Sequence, residues 1–146
     1  MVSTVLRGLR ILVVEDVPAL RQLICRMIEG LGCESIAAAG TIADAWALLN
    51  AQKFDALLLD YQLAGEVGLK LVTRLRADCV ALNHDLSVVV LTGQADAARV
   101  CACKAAGADA IMIKPVQPDV LGARIIAATA PRLDTARHAG RAYASS

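Results

Sequence analysis

Short, continuously apolar runs alternate along this chain with segments whose apolar positions recur at helical spacing. The runs Ile11-Leu12-Val13-Val14, Ala56-Leu57-Leu58-Leu59, Val88-Val89-Val90-Leu91 and Ile111-Met112-Ile113 read as strands buried on both faces. After the first, Leu20, Leu23, Ile24, Met27, Ile28 and Leu31 follow i, i+3, i+4, i+7, i+8, i+11 and predict one inward face of a helix. Pro18 suits the first turn of that helix, and Gly30 and Gly32 end it. Cys33 to Ala38 reads as a short second strand. Thr41-x-x-Asp44 resembles a capping box opening a helix with Ile42, Ala45, Trp46 and Leu49 inward. A loop from Gly65 to Gly68 leads into a helix through Leu69, Val72 and Leu75, and a small-residue helix is expected over Ala95 to Ala106. Pro118 starts a last helix, expected to stop before Pro131.

Strand and helix alternating in this way predict an α/β fold with a parallel sheet covered on both faces. Right-handed crossovers leave few topologies, and the expectation is a three-layer, doubly wound (βα)5 flavodoxin-like domain with strand order 2-1-3-4-5. The domain is placed over residues 8–130, with 131–146 as a polar, disordered tail. Arg124, Arg132, Arg137 and Arg141 make that end basic, with Asp134 its acidic side chain. The starting Met1 and the polar ending are read as those of a complete, stand-alone product.

Composition narrows the field. At 57% apolar and 3% aromatic, the interior must be filled by Leu, Val, Ile and Ala. A net charge of +1 with interspersed signs argues against direct nucleic-acid binding or an anionic membrane surface. No apolar run approaches the roughly 18 residues of a membrane span, and residues 1–10 carry no signal-peptide core, so a cytoplasmic protein is expected. The five cysteines are odd in number and lie in apolar stretches, which reads as small buried hydrophobes. Cys101-x-Cys103 lacks the further ligands that zinc needs.

The strand ends carry the chemistry. Glu15 and Asp16 follow the first strand, Asp60 the third, Thr92 closes the fourth and Lys114 follows the fifth. A parallel sheet gathers the carboxyl ends of its strands along one rim, where ligands bind. Taken singly, an acidic residue at a strand end is as readily a solvated turn. Carboxylates that converge must share a proton or bind a cation. A water-exposed oxygen site with few protein ligands suits Mg²⁺, or Mn²⁺, with a phosphate as partner. Lys114 offers a point charge for that phosphate, Thr92 a hydroxyl donor and a carboxylate a nucleophile.

The stretches Ile11-Leu12-Val13-Val14-Glu15-Asp16, Leu57-Leu58-Leu59-Asp60, Val89-Val90-Leu91-Thr92-Gly93 and Gly107 through Lys114-Pro115, in this order and spacing, resemble the receiver domain of two-component response regulators. The resemblance covers about residues 8–130. It implies that Asp60 accepts a phosphoryl group from a sensor histidine kinase or histidine phosphotransfer protein. It implies that Asp16 binds Mg²⁺ directly, Glu15 through water, and that Asp60 and the backbone carbonyl of Gln62 complete the protein ligands. Lys114 would pair with the phosphoryl group. Thr92 would move toward it, with Thr92, Ile111 and Pro115 as the switch segment and the fourth helix, fifth strand and last helix as the output face. The Lys114–Pro115 bond is expected to be cis. Such a protein is a signalling module that promotes its own phosphorylation, not an enzyme acting on a separate substrate.

Two positions depart from the family. Ile111 stands where an aromatic switch residue is usual, and Ala64 where proline is common. Gln62 and Gln94 occupy positions that tune loss of the phosphoryl group. Four other readings share parts of this pattern. A phosphatase of the haloacid-dehalogenase type needs a second acid two residues after the nucleophile, where this chain has Gln62. A flavodoxin-like nucleotide binder needs a glycine loop after the first strand, where Glu15-Asp16 stands. A pseudo-receiver that binds without phosphorylation, or a fragment of a larger regulator or hybrid kinase, shares the fold.

Overall fold

A computed structural model describes residues 4–78 and 81–144, with the backbone alone described over 132–144. The elements in chain order are β1 (Arg10–Val14), α1 (Pro18–Gly30), β2 (Ser35–Ala39), α2 (Ile42–Ala51), β3 (Ala56–Asp60), β4 (Gln62–Leu63), β5 (Glu66–Val67), α3 (Leu69–Ala77), β6 (Ser87–Thr92), α4 (Ala97–Ala106), β7 (Ala110–Ile113) and α5 (Pro118–Ala144). The main sheet is parallel, ordered β2-β1-β3-β6-β7. Leaving the small β4–β5 hairpin aside, that is the expected 2-1-3-4-5.

Successive strand side chains point to opposite faces, and each face has its own core. Leu12, Val14, Leu57, Leu59, Val88 and Val90 pack with Leu49 of α2, Leu71, Val72 and Leu75 of α3 and Cys103 of α4. Ile11, Val13, Leu58, Val89, Leu91 and Met112 pack with Ile24 and Ile28 of α1 and Leu121 and Ile125 of α5. The central strands β3 and β6 are buried at every position, which is why they read as continuous apolar runs. A fully buried Leu or Val contributes about 1.5–3 kcal/mol, so these two strands anchor the rim at which they end.

Local signals act as expected in several places. The Thr41 hydroxyl accepts from the Asp44 amide at 3.1 Å and caps α2. Asp96 does the same for α4 through Arg99 N at 2.8 Å, and Gly107 closes that helix in the left-handed region (φ +103). The Lys114–Pro115 bond is cis.

Four expectations need correcting. The last helix does not stop before Pro131: α5 runs to Ala144 with Pro131 inside it, so the backbone expected to be a disordered tail is helical that far. The alanine-rich run favours helix strongly enough to absorb the one hydrogen bond that Pro131 cannot donate. The loop after Asp60 is folded into the β4–β5 hairpin, whose turn uses Gly65 at φ +83. On α1 only Ile24 and Ile28 are buried, while Leu20 and Leu23 are 40% and 49% exposed. They line an apolar groove with Met27, Pro115 and Val116. Finally, Cys101 is exposed and Cys25 half-buried, so only Cys33 and Cys103 behave as buried hydrophobes; Cys79 lies outside the described residues.

Candidate functional site

The register of the sheet brings the strand ends together. Val14 pairs with Leu59, Asp60 with Leu91 and Thr92 with Ile113, so Glu15, Asp16, Asp60, Thr92 and Lys114 all emerge at one rim. Glu15, Asp16 and Asp60 each place a carboxylate oxygen within 4.8 Å of the others. The Lys114 ammonium reaches into this group, 3.0 Å from Glu15 Oε2 and 3.2 Å from Asp60 Oδ2.

Each member is held by backbone. The Glu15 amide donates to Ala39 O at 3.1 Å, its carbonyl accepts from Arg21 Nη1 of α1 at 2.8 Å, and its Oε1 accepts from the Val17 amide at 3.3 Å. Asp16 Oδ2 accepts from the Ala64 amide at 3.1 Å, which ties the β4–β5 turn to the end of β1. Asp60 Oδ1 accepts from the Gln62 amide at 3.4 Å. The Lys114 amide donates to Thr92 O at 2.8 Å, so cation and hydroxyl are set by one ladder bond. Gly68 seals the far side: a Cβ there would run into the Asp60 carbonyl and press on Leu59.

Burial sharpens the electrostatics. Glu15 is 1% exposed and Asp60 7%. Burial pushes the Glu15 carboxyl above its usual range, the Asp60 charge pushes it the same way, and the bond from Lys114 only partly opposes them. For Lys114, burial acts to lower the pKa, yet the bonds and charges of Glu15 and Asp60 outweigh it and raise the ammonium above its usual value. Three carboxylates served by one lysine leave surplus negative charge, and their clustered hard oxygens, with Asp16 the least buried, fit a small divalent cation.

Thr92 is 1% exposed, and its hydroxyl is fully engaged. It donates to Gln94 O at 2.7 Å and accepts from Gln94 N at 3.2 Å and from Arg99 Nη1 at 2.9 Å. Arg99 in turn lies over the Tyr61 ring, 4.1 Å from its centroid. Ile111 sits in β7, half-buried against the core on the α2–α3–α4 side, and Pro115 lines the α1 groove beside Lys114.

The sequence profile of the response regulator receiver domain matches residues 11–126. This chain belongs to that family. It is 33% identical over 118 residues to the phosphate regulon transcriptional regulatory protein PhoB of Pseudomonas aeruginosa, covering 81% of this chain and 50% of PhoB. It is 30% identical over 117 residues to the chemotaxis protein CheY of the same organism, covering 80% of this chain and 93% of CheY. The receiver chain thus spans about half the length of the PhoB relative and nearly all of CheY. Among solved structures, a CheY-like response regulator receiver domain protein from Methanospirillum hungatei superposes with a TM-score of 0.77 at 25% identity, covering 86% of this chain and 97% of that one. As a receiver domain of two-component signalling, the chain is a signalling module. No helix among the described residues is long and apolar enough to cross a membrane.

Sequence reasoning missed Arg99, Tyr61, Arg21 and the steric role of Gly68. Tyr61 adjoins Asp60 and Arg99 follows Thr92 by seven residues, but nothing in the one-dimensional pattern announces that the two side chains stack.

Proposed function

We propose that this receiver accepts a phosphoryl group on Asp60 from the phosphohistidine of a sensor kinase or phosphotransfer protein, and that this changes its protein contacts. The observation that carries the reading is the Lys114 ammonium bonded to both Glu15 and Asp60 beside a third carboxylate. An Asp60 carboxylate oxygen attacks phosphorus, the P–N bond to the donor imidazole breaks, and an acyl phosphate forms as the imidazole leaves with the bonding pair and takes a proton. Asp16, Asp60 and, through water, Glu15 would hold Mg²⁺ or Mn²⁺, with the Gln62 carbonyl as a further ligand. The ion supplies positive charge to the transferring oxygens. Lys114 exchanges its bond to Asp60 for one to the phosphoryl oxygens, which are better acceptors of a charge-assisted bond. Thr92 donates its hydroxyl to the same group. The apolar groove of Leu20, Leu23, Met27, Pro115 and Val116 adjoins Lys114 and gives the donor protein a docking surface. The face of α4, β7 and α5 is assigned to the downstream protein partner, with no nucleic-acid contact and a cytoplasmic setting.

The test is incubation with acetyl phosphate, with and without Mg²⁺, read by intact-mass spectrometry alongside Asp60→Asn. A metal-dependent gain of one phosphoryl group that Asp60→Asn abolishes is expected. No adduct on the wild-type chain at saturating donor and Mg²⁺ would refute the proposal.

A further inference from the structure

Thr92 is the hydroxyl that a phosphoryl group on Asp60 must recruit, and in this structure it has nothing left to give. A hydroxyl carries one donor hydrogen and two acceptor lone pairs. The hydrogen goes to Gln94 O, and the lone pairs take Gln94 N and Arg99 Nη1. For Thr92 to donate to a phosphoryl oxygen, the bond to Gln94 O must break and the hydroxyl must rotate, which disturbs the bond from Arg99. Arg99 cannot ignore that. It sits in the first turn of α4, whose cap is its own amide bonded to Asp96, and its guanidinium is stacked on Tyr61, the residue after Asp60. Among the described residues no carboxylate forms a salt bridge with it, and the contacts that hold its guanidinium are the ring and the hydroxyl.

Resting on the reading that Asp60 is phosphorylated, we propose that Arg99 is a positioning residue of this site: it holds the Thr92 hydroxyl in its resting bonds, and the Tyr61–Arg99–Thr92 contact transmits the arrival of the phosphoryl group to α4. Ile111 cannot serve that purpose, since it is aliphatic, lies half-buried against the core and offers no bond to a hydroxyl. A planar guanidinium can stack on a ring and donate sideways to an oxygen at the same time, which an ammonium cannot do.

The test compares wild type, Arg99→Ala, Arg99→Lys and Tyr61→Leu, each with acetyl phosphate and Mg²⁺. Intact mass reads the rate of phosphorylation and hydrogen exchange reads the amides of 97–106. In wild type, phosphorylation is expected to change exchange in α4. In Arg99→Ala and Arg99→Lys the hydroxyl has one bond fewer to give up when it turns, which is expected to speed phosphorylation while the α4 response is lost. A merely structural role for Arg99 would slow phosphorylation instead. Tyr61→Leu leaves Thr92 untouched and is expected to lose the α4 response as well, which keeps the test decisive if an Arg99 variant fails to fold. Slower or unchanged phosphorylation in a folded Arg99 variant, or an α4 response that survives loss of Arg99 or of the ring, overturns the proposal. No adduct on wild type overturns the phosphorylation reading first and this one with it. An adduct without any α4 response overturns this one alone.

Discussion

Lys114 Nζ lies 3.2 Å from Asp60 Oδ2, closing the gap between the last strand of the sheet and its central one. The same ammonium is 3.0 Å from Glu15, which is almost wholly buried. Removing the cation and removing the anion therefore have opposite consequences. Lys114→Ala leaves Glu15, Asp16 and Asp60 to repel one another without their nearest cation, and is expected to lower stability. Asp60→Asn removes one of three crowded carboxylates and is expected to raise it. Lys114 is partly exposed, so solvent screening holds each effect to about 1 kcal/mol, or a few degrees in Tm. Thermal unfolding without divalent metal checks this, and a shift of both variants in the same direction would contradict the electrostatic account. Both variants are also expected to accept little or no phosphoryl group.

The same surplus of negative charge predicts a linkage to metal. A cation that binds the folded rim and not the unfolded chain stabilises by about 2.7 kcal/mol at a hundred times its Kd. Mg²⁺ is accordingly expected to raise Tm in wild type. In Asp16→Asn the rise should shrink, because one of the three clustered oxygens has lost its charge. An equal rise in both proteins would place the ion elsewhere.

How far the site could be read from the chain depends on what each residue's position required. Glu15, Asp16, Asp60, Thr92 and Lys114 were legible because a buried parallel strand is a continuous apolar run, so its polar terminus stands out. Ordering the strands by right-handed crossovers then put those termini on one rim. The fate of α5 was not legible, because Pro131 signals an end locally while the helix around it is decided by the propensity of a longer stretch. The exposure of Leu20 and Leu23 was missed for a related reason: periodicity gives a face, not what covers it. Arg99 was invisible because its role depends on a ring 38 residues earlier in the chain, brought near only by the β3–β6 pairing.

Asn83 is a further group that no pattern singled out, and it predicts a stability effect with no loss of chemistry. Its side chain is fully buried, donates to Leu49 O at 2.7 Å and Gln52 O at 2.8 Å, and accepts from Phe54 N at 2.8 Å. It thereby closes the end of α2 and aims the chain into β3. Asn83→Ala strands three backbone groups, each worth about 1–3 kcal/mol if left unsatisfied, and partial rehydration reduces the sum to on the order of 3 kcal/mol. A lower denaturant midpoint with unchanged slope is expected, with phosphorylation of the folded fraction retained. A midpoint within error of wild type would mean that water replaces all three bonds.

Gly68 makes the sharpest demand on the site, because its constraint is steric and not conformational. Its φ is −57, which any residue adopts, so backbone strain is not the issue. The added methyl of Gly68→Ala would collide with the Asp60 carbonyl and lie 3.2 and 3.3 Å from Leu59. Neither neighbour can give way: Leu59 is fully buried, and Asp60 is held between β1 and β6. The displacement must then fall on the Tyr61–Gly68 segment, breaking the 2.7 Å bond from Gly68 N to Tyr61 O and moving the Gln62 and Ala64 amides off Asp60 and Asp16. Gly68→Ala is expected to slow phosphorylation by acetyl phosphate well beyond its effect on Tm, whereas Gly93→Ala, where a Cβ meets nothing within 4 Å, should leave folding intact. Equal rates for Gly68→Ala and wild type would show that this segment does not set the geometry of Asp60.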